Sequence, residues 1–481
     1  MSHTVPKLND PTLFKTGVAY VNGEWVKAAS GQTFEVTDPS TGELIGSAPE
    51  FDVDDTKKAI DAAAAAFPSF KTTTGRERAK LLRKWYDLMI ENNAKGETTY
   101  AANFLEWFSE EAPRNYGDVI PSSVPGNRVI TLKEPVGVVG LITPWNFPAA
   151  MITRKIAPAL AAGCTVVAKS PGETPFTSLA LAELAHRAGI PKGVVNFVSS
   201  LKNTPAVGEV LTTSPIIKKV SFTGSTGVGK ILMKQSSSTL KKLSFELGGN
   251  APFIVFDDAD LELAVAGAIA CKFRSSGQTC VCANRIFVQS GIYDAFAEKF
   301  AAKVKDFKVG GGFSEGVTHG PVIHDRAVDK VEAHVRDAEK KGGKVIQGGQ
   351  KIPELGANFF QPTVITGVTT EMDIANEETF GPVAGLFKFN TEEEVVKIAN
   401  SSDVGLAGYF FTKDVERATR ISEELELGMV GVNTGLISDV ASPFGGVKES
   451  GFGREGSKYG IAEYQTIKVI TYGGMGKPLQ S

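Results

Sequence analysis

Residues 221–230 read SFTGSTGVGK, a short apolar strand followed by a glycine-rich turn and the start of a helix. Glycines at such a turn permit close approach of the backbone, and the helix N-terminus offers free N–H groups to a phosphate. The segment matches neither G-x-G-x-x-G nor the Walker pattern. Taken alone, it is explained equally well as an ordinary turn between a strand and a helix.

Short apolar runs alternate with amphipathic helices on both sides of this segment. Runs such as PVGVVGLI, CTVVAK and GVVNFVS precede it, and APFIVF, NRIFVQ, GPVAGLFKF, AGYFFT and MVGVN follow Gly249. Runs of this length and composition are typical of buried parallel strands. The sequence therefore predicts an α/β fold with two successive units, each with helices on both faces of a largely parallel sheet.

The composition excludes several classes of protein. A length of 481 residues predicts two or three domains, and a net charge of −3 argues against a nucleic-acid partner. Five His and four Cys disfavour a histidine-rich metal site and a disulfide scaffold. We expect no metal, and we see no membrane span or leader peptide, so we expect a reducing, cytoplasmic location.

A thiol in the segment SSGQTCVCANR, residues 275–285, is a candidate nucleophile. Cys280 lies there in a small, polar loop, although burial as a small hydrophobe is the commoner fate of a cysteine. No histidine is well placed to act as its base. Glu246, between a strand and two glycines, is the alternative base, unless it is a solvated charge at a strand end.

From about Tyr20 to its end, the chain resembles the aldehyde dehydrogenase superfamily. The matching stretches are TPWNFPAAM, SFTGSTGVGK, FELGGNAPFIVF, GQTCVCANR, EETFGP and PFGGVKESGFGREG. Several independent motifs in the same order are far more specific than any one of them. Within the superfamily, the chain most resembles the succinate-semialdehyde dehydrogenases.

The resemblance implies a division into three parts. Residues 14–120 and 143–248 would form a Rossmann-like NAD(P)-binding domain, and residues 249–438 a catalytic α/β domain. Residues 121–142 and 461–481 would form a bridging β element that joins subunits into a homodimer or homotetramer.

The resemblance also implies a reaction, the oxidation of succinate semialdehyde to succinate with NAD(P)+ in 4-aminobutyrate breakdown. Cys280 would attack the aldehyde to form a thiohemiacetal and then a thioester. Asn146 and the Cys280 N–H would hold the oxyanion, and Glu246 would activate water.

The cofactor, NADP or NAD, would contact a further set of residues by the same resemblance: Trp145, Lys169, Gly172, Gly224, Ser225, Gly229, Glu378 and Phe380. NAD-preferring members carry Glu three residues after the lysine, where this chain has Gly172. We therefore expect NADP to be accepted, unless Glu173 restores a preference for NAD.

The resemblance implies carboxylate anchors for the substrate at Arg154 and Arg274, with a hydroxyl contact from Ser438. It also makes Cys282 a candidate redox switch through a disulfide with Cys280. A relative acting on glutarate semialdehyde or another ω-carboxylic aldehyde is the nearest alternative. A thiol esterase and a non-catalytic homologue are others.

One departure from the family bears on the last alternative. After Asn93 the chain omits a helical segment and a Leu-Glu-x-Gly-Lys-Pro turn that the family normally has. The loss would lie away from Cys280 and Glu246.

Overall fold

A computed structural model describes residues 8–92 and 96–476 of the chain. The sequence predicts that a helical segment is missing after Asn93. That junction lies at residues 93–95, outside the described residues.

The helices of the described part carry the labels used below. They are α1 Val53–Phe70, α2 Gly75–Glu91, α3 Glu97–Glu111, α4 Ala150–Ala162, α5 Pro175–Ala188, α6 Thr204–Thr213, α7 Thr226–Ser236, α8 Leu261–Phe273, α9 Tyr293–Lys305, α10 Asp325–Lys340, α11 Asp373–Asn376, α12 Glu392–Asn400 and α13 Val415–Glu424.

The strands are numbered in the same way. They are β1 Ala19–Val21, β2 Glu24–Val26, β3 Thr33–Thr37, β4 Leu44–Pro49, β5 Val119–Pro121, β6 Arg128–Pro135, β7 Val138–Ile142, β8 Thr165–Ser170, β9 Val195–Ser199, β10 Ile217–Thr223, β11 Lys242–Glu246, β12 Ala251–Val255, β13 Ala283–Gln289, β14 Lys344–Gln347, β15 Thr363–Thr366, β16 Val383–Phe389, β17 Val404–Gly405, β18 Ala407–Phe411, β19 Met429–Val432, β20 Val447–Lys448, β21 Gly451–Phe452 and β22 Gln465–Tyr472.

Local sequence signals explain where several helices begin and end. Thr74 and Glu77 form a capping box at the start of α2, which satisfies backbone N–H groups that the first helical turn leaves free. Asp52 caps α1 through its side chain. Gly189 ends α5 in the left-handed conformation, which glycine adopts without a steric penalty.

The first large sheet has the strand order β2-β1-β9-β8-β7-β10-β11-β21. Its five central strands are parallel, and they are β9, β8, β7, β10 and β11. Strands β1, β2 and β21 pair antiparallel at the two edges. Along the chain, β7, β8 and β9 follow one another toward one edge of the sheet, whereas β10 and β11 follow toward the other. Ligands of such sheets bind where the strand order reverses, beyond the carboxyl ends of these two strands.

The second large sheet has the order β14-β15-β16-β13-β12-β18-β19 and is parallel except for β14. Its strands β12 and β18 are buried along their whole length, as the apolar runs predict. The turn Leu247–Asn250 leads directly from β11 of the first sheet to β12 of the second. The predicted α/β architecture with mixed, mainly parallel sheets is confirmed.

A third sheet, β22-β6-β5, pairs the C-terminal strand with residues 128–135 over eight positions. The pairing differs from the predicted domain bounds in one respect. Strand β7 falls inside the range 121–142 assigned to the bridging element, yet it is a central strand of the first large sheet. Strand β7 pairs with β8 and β10, so it belongs to the first sheet, while the division into domains remains a prediction.

Among residues 8–92 and 96–476, no helix is both long enough and apolar enough to cross a membrane.

Candidate active site

A cavity of about 240 Å³ opens at the strand-order reversal of the first sheet. It is bounded by the loops after β7 and β10 on one side and by loops of the second sheet on the other. Its lining residues are Pro144, Trp145, Asn146, Met151, Thr223, Gly224, Ser225, Leu247, Gly248, Cys280, Glu378 and Phe380. Seven residues that the sequence nominated thus line one cleft.

Two glycines of the FELGGN stretch let the parts of this cleft approach one another. A Cβ on Gly249 would lie 2.5 Å from the carbonyl oxygen of Cys280, and one on Gly248 would lie 3.1 Å from Glu378 Oε2. The Gly249 N–H donates to Glu378 Oε1 at 3.4 Å. The turn between the two sheets therefore fixes the positions of both Cys280 and Glu378.

Cys280 is half-buried and lies in a turn just before β13. Ser275, Ser276 and Gly277 precede it with φ of 52°, 55° and 78°. Left-handed serines are strained, and such strain persists only where the surroundings over-determine the backbone. Burial raises the pKa of the Cys280 thiol to about 12, and the positive charge of Arg154 opposes the shift.

Gln278 holds this strained loop to a neighbouring segment. Its side-chain oxygen accepts from the Ile323 N–H at 2.9 Å, and its amide donates to the Ser275 carbonyl at 3.1 Å. Asn146 Nδ2 donates to the Gln278 carbonyl at 3.0 Å. An amide nitrogen carries two N–H groups, so one remains for an oxygen atom bound at Cys280.

Glu246 ends β11 and is buried, with an exposed fraction of 2%. Its Oε2 has no hydrogen-bond partner in the described part of the chain. Burial raises its pKa well above the usual range, and the nearby carboxylate of Glu455 raises it further, while Arg154 and Lys155 act in the opposite sense. Glu246 is thus a basic carboxylate rather than the solvated strand-end charge considered above.

Glu455 is a functional candidate that the sequence alone did not reveal. It is buried and forms ion pairs with the equally buried Arg154 and Lys155. Although burial opposes this, the two cations hold the pKa of Glu455 below its usual value. It lies in the GREG stretch that carried the resemblance, but its contact with α4 spans about 300 residues of chain and leaves no local pattern.

The predicted substrate anchors have different environments. Arg154 is 2% exposed and packs its guanidinium 4.3 Å above the Phe444 ring, besides pairing with Glu455. Its Nη2 finds no hydrogen-bond partner among the residues described. Arg274 is exposed, lies over the Phe147 ring at 5.2 Å, and lines a small cavity together with Ser438.

The glycine-rich turn after β10 faces the same cleft. Ser225 is the N-cap of α7, but its side chain forms no capping bond, so N–H groups of the first turn stay free. A Cβ on Gly229 would lie 2.7 Å from Leu247, so this glycine lets α7 pack against the turn that leads to β12. Gly224 N–H donates to the Glu246 carbonyl at 3.1 Å.

The EETFGP stretch forms the opposite wall. Burial raises the pKa of Glu378 to about 7. Phe380 has φ of 51° and packs edge-on against Trp145, with ring centroids 5.8 Å apart.

Lys169 is the penultimate residue of β8 and is 6% exposed. Burial lowers its pKa to about 8, and the carboxylates of Glu173 and Glu50 act against this. Gly172 lies in the loop that follows, where a Cβ would meet Leu201 Cδ1 at 2.7 Å.

Two further features are the thiol of Cys282, near the cleft, and a groove that lies apart from it. Cys282 is a free, buried thiol whose N–H donates to the Thr279 carbonyl at 3.0 Å. A groove of about 1030 Å³ lies on another face, between α2 and the end of α3, and contains none of the nominated residues.

In the described ranges, no three or more His, Cys, Asp or Glu side chains are grouped to hold a metal ion. The expected lack of a metal remains a prediction.

Comparison with known proteins matches residues 25–470 to the aldehyde dehydrogenase family. Succinate-semialdehyde dehydrogenase [NADP(+)] 1 of Schizosaccharomyces pombe is 59% identical over 471 residues, covering 94% of each chain. A glutarate-semialdehyde dehydrogenase of Pseudomonas putida is 53% identical, covering 96% of this chain and 99% of that one.

Solved structures agree with these relatives. The crystal structure of succinate-semialdehyde dehydrogenase from Burkholderia pseudomallei superimposes with a TM-score of 0.95 at 52% identity. The match covers 97% of this chain and all of that one. A family match over most of the chain, identity above half and a shared fold leave one conclusion. The chain belongs to the aldehyde dehydrogenase family.

Proposed function

We propose that this enzyme oxidises succinate semialdehyde to succinate, with NADP+ as the preferred acceptor. The observation that carries the proposal is the single cleft that holds Cys280 and Asn146 beside a glycine-rich helix start, with the buried Glu246 directly preceding the lining residue Leu247. The 59% identity to an NADP(+)-named succinate-semialdehyde dehydrogenase supports both the substrate and the cofactor.

The described residues fit a nicotinamide nucleotide. The uncapped start of α7 at Ser225 suits a pyrophosphate, and Lys169 supplies a positive charge at the adenosine end, where Gly172 adds no carboxylate. Glu378 and Phe380 would hold the nicotinamide riboside against Trp145. When bound, this cofactor supplies the two-electron acceptor for the aldehyde carbon.

The first chemical task falls to Cys280 and Asn146. The Cys280 thiol releases its proton to water, and the sulfur attacks the aldehyde carbon to form a thiohemiacetal. The second N–H of Asn146 Nδ2 and the Cys280 backbone N–H stabilise the resulting oxyanion. The hydrogen bond from Asn146 to the Gln278 carbonyl orients the amide for this role.

The second task falls to Glu246. Oxidation leaves a thioester on Cys280, which water must hydrolyse. Glu246 accepts a proton from that water, and its raised pKa makes it a stronger base than an ordinary carboxylate.

The substrate carboxylate binds Arg274 and Ser438, with the free Nη2 of Arg154 as a further contact. Arg274 is the accessible member of the set, whereas Arg154 also neutralises Glu455. Glutarate semialdehyde, one methylene longer, is the second candidate because of the 53% identical relative that carries its name.

The test follows NADPH formation at 340 nm with succinate semialdehyde, glutarate semialdehyde and an uncharged aldehyde of similar length. We expect kcat/KM to be highest for succinate semialdehyde and to fall strongly for the uncharged aldehyde. Hydrolysis of an ester with no turnover of any aldehyde would instead favour an esterase, and neither activity would favour a non-catalytic homologue. Cys280→Ser is the inactive control.

The redox switch remains part of the proposal. Cys280 and Cys282 are both free thiols two residues apart, and a disulfide between them would block the nucleophile. Peroxide should inactivate the wild-type enzyme in a way that thiols reverse. In Cys282→Ser, thiols should no longer restore activity, because peroxide over-oxidises Cys280 when no disulfide can form.

We further propose that the chain forms a homodimer or homotetramer through the sheet β22-β6-β5. Its exposed apolar side chains support this, with Ile467 at 69%, Val469 at 59% and Leu132 at 42% exposure. Light scattering should give a multiple of 51.1 kDa, and Ile467→Lys should shift it toward the monomer. The cytoplasmic location remains a prediction.

A further inference from the structure

Helix α10 holds the loop that carries Glu378 and Phe380. His334 Nδ1 lies 3.1 Å from Thr379 Oγ1, and Lys330 Nζ donates to the Glu378 carbonyl at 2.7 Å. A Cβ on Gly381 would lie 2.3 Å from Val331 Cγ2, so the loop backbone rests directly on the helix. The side chain of His334 is otherwise enclosed, with an exposed fraction of 3%.

The loop needs such support because its conformation is unfavourable by itself. Phe380 has φ of 51°, a region that bulky residues rarely adopt. From the side opposite α10, Asn284 accepts from the Thr379 N–H at 3.3 Å and donates to the Glu377 carbonyl at 2.9 Å. Thr379 is therefore held through its backbone by Asn284 and through its hydroxyl by His334.

The surroundings of His334 select one tautomer. Its Nε2 faces Glu377 Oε2 at 3.6 Å, which favours a proton on that nitrogen and leaves Nδ1 to accept from the Thr379 hydroxyl. The charged groups facing the ring are Lys330 and Asp337 on α10, Asp373 on α11 and Glu377 on the loop. Burial, and then Lys330, lower the pKa of His334, which favours the neutral ring.

We propose that His334 is a positioning residue for the cofactor: through Thr379 it keeps Glu378 and Phe380 in the conformation that receives the nicotinamide riboside. The proposal rests on the proposed function for the identity of the cofactor. It deepens that function by assigning cofactor positioning to a residue that lies outside the cleft.

Two substitutions separate the role of each ring nitrogen. His334→Asn keeps a polar atom at the position of Nδ1, whereas His334→Gln keeps one only at the position of Nε2. We expect His334→Gln and His334→Ala to raise the KM for NADP+ about tenfold or more, since small misplacements of a binding group have effects of this size. His334→Asn should stay close to wild type, and the KM for the aldehyde should change little.

A double substitution tests the route through Thr379. Thr379→Val should reproduce the effect of His334→Ala, and the two together should cost no more than either alone. The matched control is His324→Ala, which removes the N-terminal cap of the same helix, a 3.0 Å bond from the Ala327 N–H, without touching the loop. It should lower the melting temperature yet leave the KM for NADP+ unchanged.

A second measurement does not depend on turnover or on the cofactor. Amide hydrogen exchange of residues 377–381 in the free enzyme should be faster in His334→Gln than in His334→Asn. Equal exchange and equal KM for the Asn and Gln variants, or an equal rise in KM for His324→Ala, would overturn the proposal. If no aldehyde is turned over, the exchange result still decides the role of His334, while the proposed function fails separately.

Discussion

Gly249 offers a direct test of how closely the two sheets must approach at the nucleophile. In Gly249→Ala the new Cβ would start 2.5 Å from the carbonyl oxygen of Cys280 and 3.4 Å from Leu406 Cβ. A carbon and a carbonyl oxygen come no closer than about 3.3 Å in ordinary contacts. The Cys280 loop or the glycine turn must therefore move by about 0.8 Å.

The expected cost follows from that displacement. A shift of about 1 Å at a catalytic group can lower a rate about 100-fold, so we expect kcat/KM to fall about 10- to 100-fold, equivalent to about 1.4–2.7 kcal/mol. Gly249 does not have a positive φ, so alanine itself is conformationally acceptable there. The loss would come from the contact with Cys280 and not from backbone strain.

The assay combines kcat/KM for succinate semialdehyde at saturating NADP+ with the rate at which iodoacetamide alkylates Cys280. Gly208→Ala in α6 is the control, because its Cβ would make an ordinary contact 3.7 Å from Leu232. We expect the control to behave like wild type in both measurements. A Gly249→Ala enzyme within twofold of wild type in kcat/KM, with an unchanged alkylation rate, would refute this account of the loop.

Three further predictions concern charge. Glu455→Gln should lower the pKa of Glu246, because a neighbouring negative charge raises it. Since Glu246 acts as a base in its carboxylate form, the rise of kcat with pH should move to lower pH. The free energy of unfolding should also fall by roughly 3–5 kcal/mol, because one partner of a buried ion pair is lost. Arg274→Ala should raise KM for succinate semialdehyde about 10- to 100-fold, as loss of a charged hydrogen bond does, but not KM for an uncharged aldehyde. Gly172→Glu should turn the ratio of kcat/KM for NADP+ and NAD+ toward NAD+, because a carboxylate beside Lys169 repels the 2′-phosphate; an unchanged ratio would contradict the assignment.

Much of the fold follows from local sequence. The apolar run after Asp260 predicts a helix over Leu261–Phe273, and α8 has those bounds, because Asp260 caps it and apolar residues fill it. The sequence also predicts a helix over Asp414–Leu427, but α13 is shorter, Val415–Glu424, because Asp414 serves as the cap and Leu425 is extended. Periodicity identifies such elements well and defines their ends less well.

The candidate site divides in the same way. Cys280 and Glu246 stand in conspicuous polar or glycine-rich stretches, so their chemistry can be read from local sequence and resemblance. Glu455 and His334 cannot be found in this way, because each acts through a partner distant in sequence or on another element. Their signal is burial of a charged or titratable group against a specific neighbour, which exists only after folding.

The buried charges explain why a glutamate base suits this cleft. Arg154 and Lys155 bring two positive charges into the interior, and Glu455 neutralises only one of them. The remaining positive charge favours an anion on either Cys280 or Glu246, whereas burial disfavours anions on both at once. A site that tolerates one negative charge at a time can place it first on the attacking sulfur and later on the carboxylate that deprotonates water. A histidine base would add a third positive charge on accepting its proton, so a carboxylate, neutral when protonated, is the base this interior can accommodate.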